Sequence, residues 1–316
     1  MIKTLTLNPA VDKAVTIARF TVGEVNRITS VRLDAGGKGI NVARVLHRLG
    51  APTVAIAPVA GNSGRFLADR LAEEGIPCNF FEIAGESRTN LKVVDPVMKT
   101  HTDINEPGPA LSDDDLARLG QKLLDDLAPG DAVVFSGSVP AGVPRNLYGT
   151  WIAQARSRGA LTVLDADGPL FSLGLEGKPD LVKPNRAELE AWVGRPLDTE
   201  EALWEAIGRL REAGAQTVAV SLGGEGAWLV TGEGAWFAPG LKVEAKSTVG
   251  AGDALVAALT WALVREQPPA QALAAAVAVA TASVVRDGTG AGDPQDIETF
   301  LARVAVQPRT FSGRKL

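Results

Sequence analysis

Histidine and cysteine are almost missing from this chain of 316 residues, which has two histidines, His47 and His101, and one cysteine, Cys78. A single cysteine excludes an intramolecular disulfide and fits a reducing compartment. Two histidines exclude a histidine-rich metal site and leave Ser-His-Asp chemistry only those two to draw on. A hydrolase reading finds no support, because no Gly-x-Ser-x-Gly elbow occurs and neither histidine sits in a predicted strand-end loop of the sheet. Positive charge is also short: 32 basic against 37 acidic residues give a formal net charge of −5. No broad basic field exists to hold nucleic acid or an anionic membrane, so an anionic ligand must be held by local groups. Long apolar runs are missing too. Residues 254–264 and 270–285 fall short of about 18 uninterrupted apolar residues and read as buried helices. The opening Met1-Ile2-Lys3-Thr4-Leu5-Thr6-Leu7-Asn8-Pro9 has too short an apolar run for a secretory leader. We therefore expect a cytoplasmic protein, with neither membrane nor nucleic acid as partner.

No fixed-period repeat and no linker-like tract divides the chain, whose 46% hydrophobic and 22% charged residues suit a globular protein. The length allows one large α/β domain or two smaller ones. In the second half, short apolar strands at 132–135, 161–164, 180–182 and 217–220 alternate with helical patterns at 146–158, 186–193 and 200–213. Gly159 and Gly214 close two of these helices. This alternation predicts a mainly parallel sheet covered on both faces, with ligands at the carboxyl ends of its strands. Polar groups fall at those ends: Ser136-Gly137-Ser138, Asp165, Lys183-Pro184-Asn185 and Ser221-Leu222-Gly223-Gly224. The first third differs. A strand begins at 5–7, a helix covers 38–49, and residues 13–20 with 26–33, then 89–94 with 101–104, alternate like two antiparallel pairs. Two such hairpins between βα units would make a small sheet of their own, a natural lid. Residues 227–230 read as another strand, and the tail 309–316 is expected to be mobile.

Thr248-Val249-Gly250-Ala251-Gly252-Asp253 puts two glycines where a loop becomes a helix and a carboxylate at the helix entrance. Glycine lets backbone N–H groups face a ligand without a Cβ in the way, and a helix N-terminus adds unpaired N–H groups. Together they form an anion hole, and a carboxylate beside it suits a base that activates a hydroxyl. The plain alternative is an acidic helix cap behind a glycine turn. Asp34-Ala35-Gly36-Gly37-Lys38-Gly39-Ile40-Asn41 is a second loop-to-helix junction, distinct from a Walker A loop, with Lys38 and Asn41 offering charge and hydrogen bonds. Asp12, just past a proline turn, could clamp sugar hydroxyls with Gly37 and Asn41; alone it would be a solvated turn residue. Arg88, beside a lid strand, is either a solvated charge or a phosphate fork. Lys183-Pro184-Asn185-Arg186-Ala187-Glu188 is either a helix start with proline at its first position and Asn and Glu in its first turn, or a polar cluster organising Mg²⁺, its water and nucleotide phosphates. Ser221-Leu222-Gly223-Gly224-Glu225-Gly226 is either a strand-to-strand turn or a backbone surface for a nucleotide.

In this order, and over nearly the whole chain, these segments with the opening Thr6-Leu7-Asn8-Pro9-Ala10-x-Asp12 resemble the ribokinase-like (PfkB) carbohydrate kinases. The Thr-Leu-Asn-Pro start and Arg88 are similar to the branch whose sugar already carries a phosphate. Gly23-Glu24-Val25-Asn26 and the stretch 302–308 are most similar to the bacterial 1-phosphofructokinase group of that branch. The resemblance implies a three-layer α/β sandwich with a mainly parallel central sheet. It implies a kinase domain over 1–316 with a discontinuous β-lid from about 11–34 and 87–106, and a homodimer joined through that lid. It implies ATP and Mg²⁺, and phosphorylation of fructose 1-phosphate at its 6-hydroxyl. Tagatose 6-phosphate or fructose 6-phosphate is the alternative substrate, and a non-catalytic sugar-phosphate sensor the remote one.

The resemblance also implies roles. Asp253 would be the base, with Gly250, Ala251 and Gly252 supplying amides to the transferring phosphoryl group; an ordinary aspartate is already ionised near neutrality. Asp12, Gly37 and Asn41 would bind sugar hydroxyls, and Arg88 with Lys38 and Ser138 the sugar's phosphate. Asn185 and Glu188 would organise Mg²⁺ through water or phosphate, with Lys183 nearby. The nucleotide would lie against Ser221, Gly223, Gly224 and Gly226, Thr248, Gly250 and Gly252, and the helix around 280–283 with Ser283. Asp165-Ala166-Asp167-Gly168 departs from the commoner Asp-x-Ser-Gly of the family at Asp167.

Overall fold

A computed structural model describes residues 1–286, 288 and 290–310; residues 311–316 of the expected mobile tail lie outside the described residues. A nine-stranded sheet organises it. From edge to edge it runs Gln307–Arg309, Ala235–Pro239, Gly226–Val230, Thr217–Ser221, Leu181–Val182, Leu161–Asp165, Ala132–Ser136, Ile2–Leu5 and Thr53–Ile56. The six strands from Thr217–Ser221 to Thr53–Ile56 are parallel, and the other three add antiparallel at one edge.

The strands are apolar on both sides because both faces are covered. Along Ala132–Ser136, Val133 and Phe135 enter one core and Ala132 and Val134 the other, as a two-residue side-chain period requires. The first core lies under the helices Asp113–Leu124, Leu147–Ser157, Gly168–Leu175, Arg186–Val193 and Glu200–Glu212. The second lies under Lys38–Arg48, Ala251–Val264 and Pro269–Val284. The last two helices are apolar around most of their circumference and pack against each other as well as the sheet. Among the described residues, no helix is long and apolar enough to cross a membrane.

The two expected hairpins exist as Ala10–Ile17 with Ile28–Gly36 and Arg88–Asp95 with Thr100–Asn105. Parallel pairing of Ala10–Ile17 with Arg88–Asp95 joins them into one four-stranded sheet. Its register places Asp12, Asp34 and Asn90, then Ala14, Arg32, Lys92 and Asp103, on one polar face. Lys13, Leu33, Leu91 and Ile104, then Val15, Val31 and Val93, share the other.

Two sequence expectations change, and the strand-to-strand turn holds. The strand expected at 5–7 is Ile2–Leu5, because the chain leaves the sheet at Thr6 to form the rim that holds Asn8 and Pro9. Arg309, assigned to the mobile tail, ends the edge strand Gln307–Arg309. Residues 223–225 between the strands Thr217–Ser221 and Gly226–Val230 form a single 3₁₀ turn. His47 lies in a helix and His101 in a strand of the small sheet, away from the strand ends of the large one.

Candidate active site

A cavity of about 700 Å³ opens at the carboxyl ends of the parallel strands, between the large sheet and the polar face of the small one. That size suits a small-molecule site. Its floor is built by the two glycine junctions. Gly250 takes a left-handed conformation, φ 84°, as the N-cap of Ala251–Val264. Gly37, φ 121°, plays the same part for Lys38–Arg48. A Cβ at Gly36 would collide with the Asp12 carboxylate, and one at Gly37 would lie 2.7 Å from Thr6 Cγ2. Neither helix start has a side-chain cap, so first-turn amides that no intrahelical carbonyl can reach face the cavity.

Asp253 stands in the first turn of Ala251–Val264, 7% exposed. Its Oδ2 accepts a 2.8 Å hydrogen bond from Asn41 Nδ2, which joins the two junctions across 212 residues of sequence. Burial, its largest influence, lifts the Asp253 carboxyl to about 6; the Asp165 charge adds to the rise, while the Asn41 bond, Lys38 and Lys183 oppose it. The ordinary aspartate expected from sequence is thus a carboxyl poised just below neutrality, where a general base works best.

Two lysines converge on Asp165, which is 1% exposed at the end of its strand. Lys183 Nζ lies 3.4 Å and Lys38 Nζ 3.5 Å from Asp165 Oδ1. Burial alone would lower the Lys38 ammonium, but the charges of Asp165, Glu188, Asp253 and Asp167 outweigh it and hold it above the usual lysine value. Lys183 lies beneath the anion hole, since a Cβ at Gly252 would sit 3.5 Å from its Nζ. The cavity can thus hold a multiply charged phosphate chain between amides and two ammonium groups.

Asn185 and Glu188 form a reciprocal capping box: Asn185 Oδ1 accepts from the Glu188 amide and Glu188 Oε2 from the Asn185 amide, each at 2.8 Å. The helix-start reading of that motif therefore holds, except that Asn185 is the N-cap and Pro184 precedes it; the functional reading must use what remains, Glu188 Oε1, 3.9 Å from Lys38 Nζ, and Asn185 Nδ2. Among the described residues, no group of three or more His, Cys, Asp or Glu could cage a metal ion. The buried and unpartnered Asp165 Oδ2 and Glu188 Oε1 fit a hard cation held chiefly by water and phosphate oxygens.

On the side of the small sheet, Asp12 accepts a 3.0 Å hydrogen bond from Asn90 Nδ2. Burial pushes its carboxyl up, the Asn90 bond and Arg88 pull it down, and Asp34 adds to the rise. Arg88 donates to the backbone carbonyls of Asn8 and Glu106, each at 3.2 Å. Burial lowers it from the usual guanidinium value against the pull of Asp12 and Glu106, and a guanidinium remains cationic in working conditions. At the far end, Ser221, Gly223, Gly224, Gly226 and Thr248 line a wall completed by Leu241, Val243, Val277, Ala280, Thr281 and Val284.

Of the residues expected from sequence, all line this cavity except Ser138 and Ser283. Ser138 lies outside, reached by Asn8 Nδ2 at 3.5 Å. Ser283 turns its hydroxyl back to the Ala280 carbonyl of its own helix at 2.8 Å. Asp167, the departure from the family pattern, is exposed at the start of Gly168–Leu175 and makes no capping bond. Asn90 and the wall residues Leu241, Val243, Val277 and Val284 were not singled out, whereas Ala280 and Thr281 fall in the expected helix 280–283; only the cross-strand register with Asp12 could have pointed to Asn90.

Comparison with known proteins agrees with this geometry. The description of the pfkB family carbohydrate kinases matches residues 5–296. The chain is 38% identical to a 1-phosphofructokinase of Rhodobacter capsulatus over 307 residues, 97% of each chain. It is 42% identical to a 1-phosphofructokinase of Xanthomonas campestris over 265 residues, 82% of this chain and 83% of the other. Among solved structures it is similar to phosphofructokinase-2 of Escherichia coli in complex with fructose-6-phosphate, with a TM-score of 0.89 and 32% identity over 96% of this chain and 98% of that one. A match across most of its length, with full-length relatives well above 30% identity, makes this chain a member of the pfkB family of carbohydrate kinases.

Proposed function

We propose that this carbohydrate kinase transfers the γ-phosphoryl group of ATP to the 6-hydroxyl of fructose 1-phosphate, giving fructose 1,6-bisphosphate and ADP. The observation that carries the chemistry is Asp253, buried beside the amides of a helix start and hydrogen-bonded to Asn41. Its carboxylate takes the hydroxyl proton as the sugar oxygen forms its bond to the γ-phosphorus and the bond to the β-phosphate oxygen breaks. Gly250, Ala251 and Gly252 present amides to the charge on the transferring group, as phosphoryl transfer requires. Lys183 and Lys38 neutralise phosphate charge. Asp12, Gly37 and Asn41 hold sugar hydroxyls, and Arg88 the phosphate the sugar already carries. The wall from Ser221 to Gly226 with Val277, Ala280 and Thr281 receives the nucleotide base. Asn185, Glu188 and Asp165 would orient a Mg²⁺ through water and phosphate, and that ion supplies charge neutralisation when bound.

The substrate choice rests on the relatives named 1-phosphofructokinase. The likeness to a phosphofructokinase-2 complexed with fructose-6-phosphate favours that sugar as the second reading. We further propose that the small sheet, as a lid over the kinase body, joins two copies through its apolar face. Ile28, Val31, Leu33 and Ile104 are 40–54% exposed there, more apolar surface than a solvated strand pair normally offers. A reducing compartment such as the cytoplasm suits the lone cysteine. The test is a coupled ADP-release assay with Mg-ATP that compares kcat/KM for fructose 1-phosphate, fructose 6-phosphate and tagatose 6-phosphate. We expect a clear preference for fructose 1-phosphate. Preference for a 6-phosphate would move the substrate and keep the chemistry, and silence with all three would overturn the reading.

A further inference from the structure

Among the described residues, Asn41 is the one neutral side chain bonded to the Asp253 carboxylate, and the orientation of its amide decides what it does there. With Nδ2 toward Asp253 it donates to the ionised carboxylate; turned over, it would set a carbonyl oxygen against that carboxylate. The amide is fixed from behind. Arg44, one helical turn further along Lys38–Arg48, donates from Nη1 to Asn41 Oδ1 at 3.1 Å. A guanidinium has donors and no acceptor, so the atom it faces must be the oxygen, and the nitrogen must then face Asp253. Arg44 is itself held. Its Nε and Nη2 reach the two oxygens of Glu74 at 2.6 and 3.3 Å, and Nη2 also donates to the Ala35 carbonyl at 3.1 Å. Its side chain is 11% exposed and does not line the cavity.

We infer that Arg44 is a positioning residue for the reaction, locking the Asn41 amide so that it presents its N–H, and never its carbonyl, to the base Asp253. Glu74, at the end of the helix Gly61–Glu73, clamps Arg44 in turn. The inference rests on the reading of Asp253 as base. The charged groups that act on Asp253 are Asp165, Lys38 and Lys183, and on the far side Glu74 and Arg70 flank Arg44. Replacing Arg44 alters none of these charged groups on the cavity side. What it alters is the freedom of Asn41 to turn.

The experiment uses the full chain with Arg44→Met and Arg44→Lys, alone and in an Asn41→Ala background, and reads two quantities. The first is the titration midpoint of the Asp253 carboxyl in the resting protein, followed by ¹³C NMR of labelled aspartate and assigned with Asp253→Asn. The second is the acid limb of kcat/KM against pH. Loss of an N–H donor to a carboxylate favours its protonated form. Arg44→Met should therefore raise the NMR midpoint and the acid limb together by roughly one pH unit. kcat/KM should fall about tenfold below the midpoint and recover most of that loss two units above it. Arg44→Lys, which keeps a donor and loses the fork, should fall between. In the Asn41→Ala background Arg44→Met should add nothing, since the partner through which it acts is gone. An unmoved NMR midpoint in a folded Arg44→Met protein overturns the inference, as does an equal shift with and without Asn41. A midpoint that moves while the acid limb stays still overturns the base reading instead and leaves the Arg44 lock standing.

Discussion

The two glycine junctions that floor the cavity make a natural pair, and they differ in charge. Both begin a helix at a glycine of positive φ, and both lack a side-chain cap. Ala251–Val264 then carries an acid, Asp253, in its first turn, the sign its dipole favours. Lys38–Arg48 carries a base, Lys38, at its first position and no acid in its first turn, the sign its dipole opposes. A stability argument alone would have reversed this. Lys38 stays because Asp165 and Glu188 face it, and under the proposed function its ammonium would meet phosphate. At the other junction, electrostatic comfort from the dipole is offset by burial, which lifts Asp253 toward neutrality. Each helix start thus gives up some local stability for a charge that the cavity uses.

The largest expected effect comes from neutralising the favourable acid. Asp253→Asn should lower kcat by roughly 10² to 10⁴ with KM values little changed; near-normal turnover would remove Asp253 from its role. The same variant should unfold at a higher temperature than the parent at pH 7. Burial lifts its folded carboxyl to about 6, well above the usual carboxylate range. A folded value above the unfolded one means that ionisation costs stability as pH rises through that interval, and that the cost is fully present above it. The gain, about 2–4 °C for each kcal/mol relieved, should shrink as the pH is lowered toward 4, which thermal melts at several pH values would read.

Arg88→Ala comes next and tests the lid against the floor. KM for the sugar phosphate should rise roughly 10- to 100-fold, the worth of a charge-assisted hydrogen bond or two, with KM for ATP unmoved. An equal rise in both would deny Arg88 its phosphate. The pH profile gives a third effect. kcat/KM should fall about tenfold per unit below pH 6 as Asp253 takes up its proton; a profile flat down to pH 5 would contradict the burial argument.

The smallest effect compares the two glycines themselves. Gly37→Ala meets both an unfavourable φ and Thr6 Cγ2, and Gly250→Ala meets a left-handed φ of 84°; we expect the first to cost more stability. We expect roughly 1–3 kcal/mol against 1–2 by chemical denaturation. The reverse order would mean that the Gly37 loop yields easily.

Much of this was legible in local sequence. The helix Arg186–Val193 has the bounds its pattern gives, because Asn185 and Glu188 form a capping box that acts within one turn. The hairpins of the small sheet followed from alternation, which has a period of two wherever one side is wetter than the other. The end of the first strand was misread by a few residues, since Thr6-Leu7 continues the strand pattern and only the turn at Asn8-Pro9 pulls it from the sheet. Ser283 went astray because its neighbours Ala280, Thr281 and Val284, and not it, face the cavity; the rotation of a helix that is apolar nearly all round cannot be read from its own residues.

The sequence by itself determined the glycine junctions, the capping box, the alternation of strand and helix, and the scarcity of histidine and cysteine, because each is a property of a few adjacent residues or of composition. Tertiary structure alone decided that Asn41 meets Asp253 across 212 residues, that Lys38 and Lys183 share Asp165, and that the Asp253 carboxyl stands near 6. Desolvation and the field of distant charges belong to the surroundings of a group, and those surroundings exist only once the chain has folded.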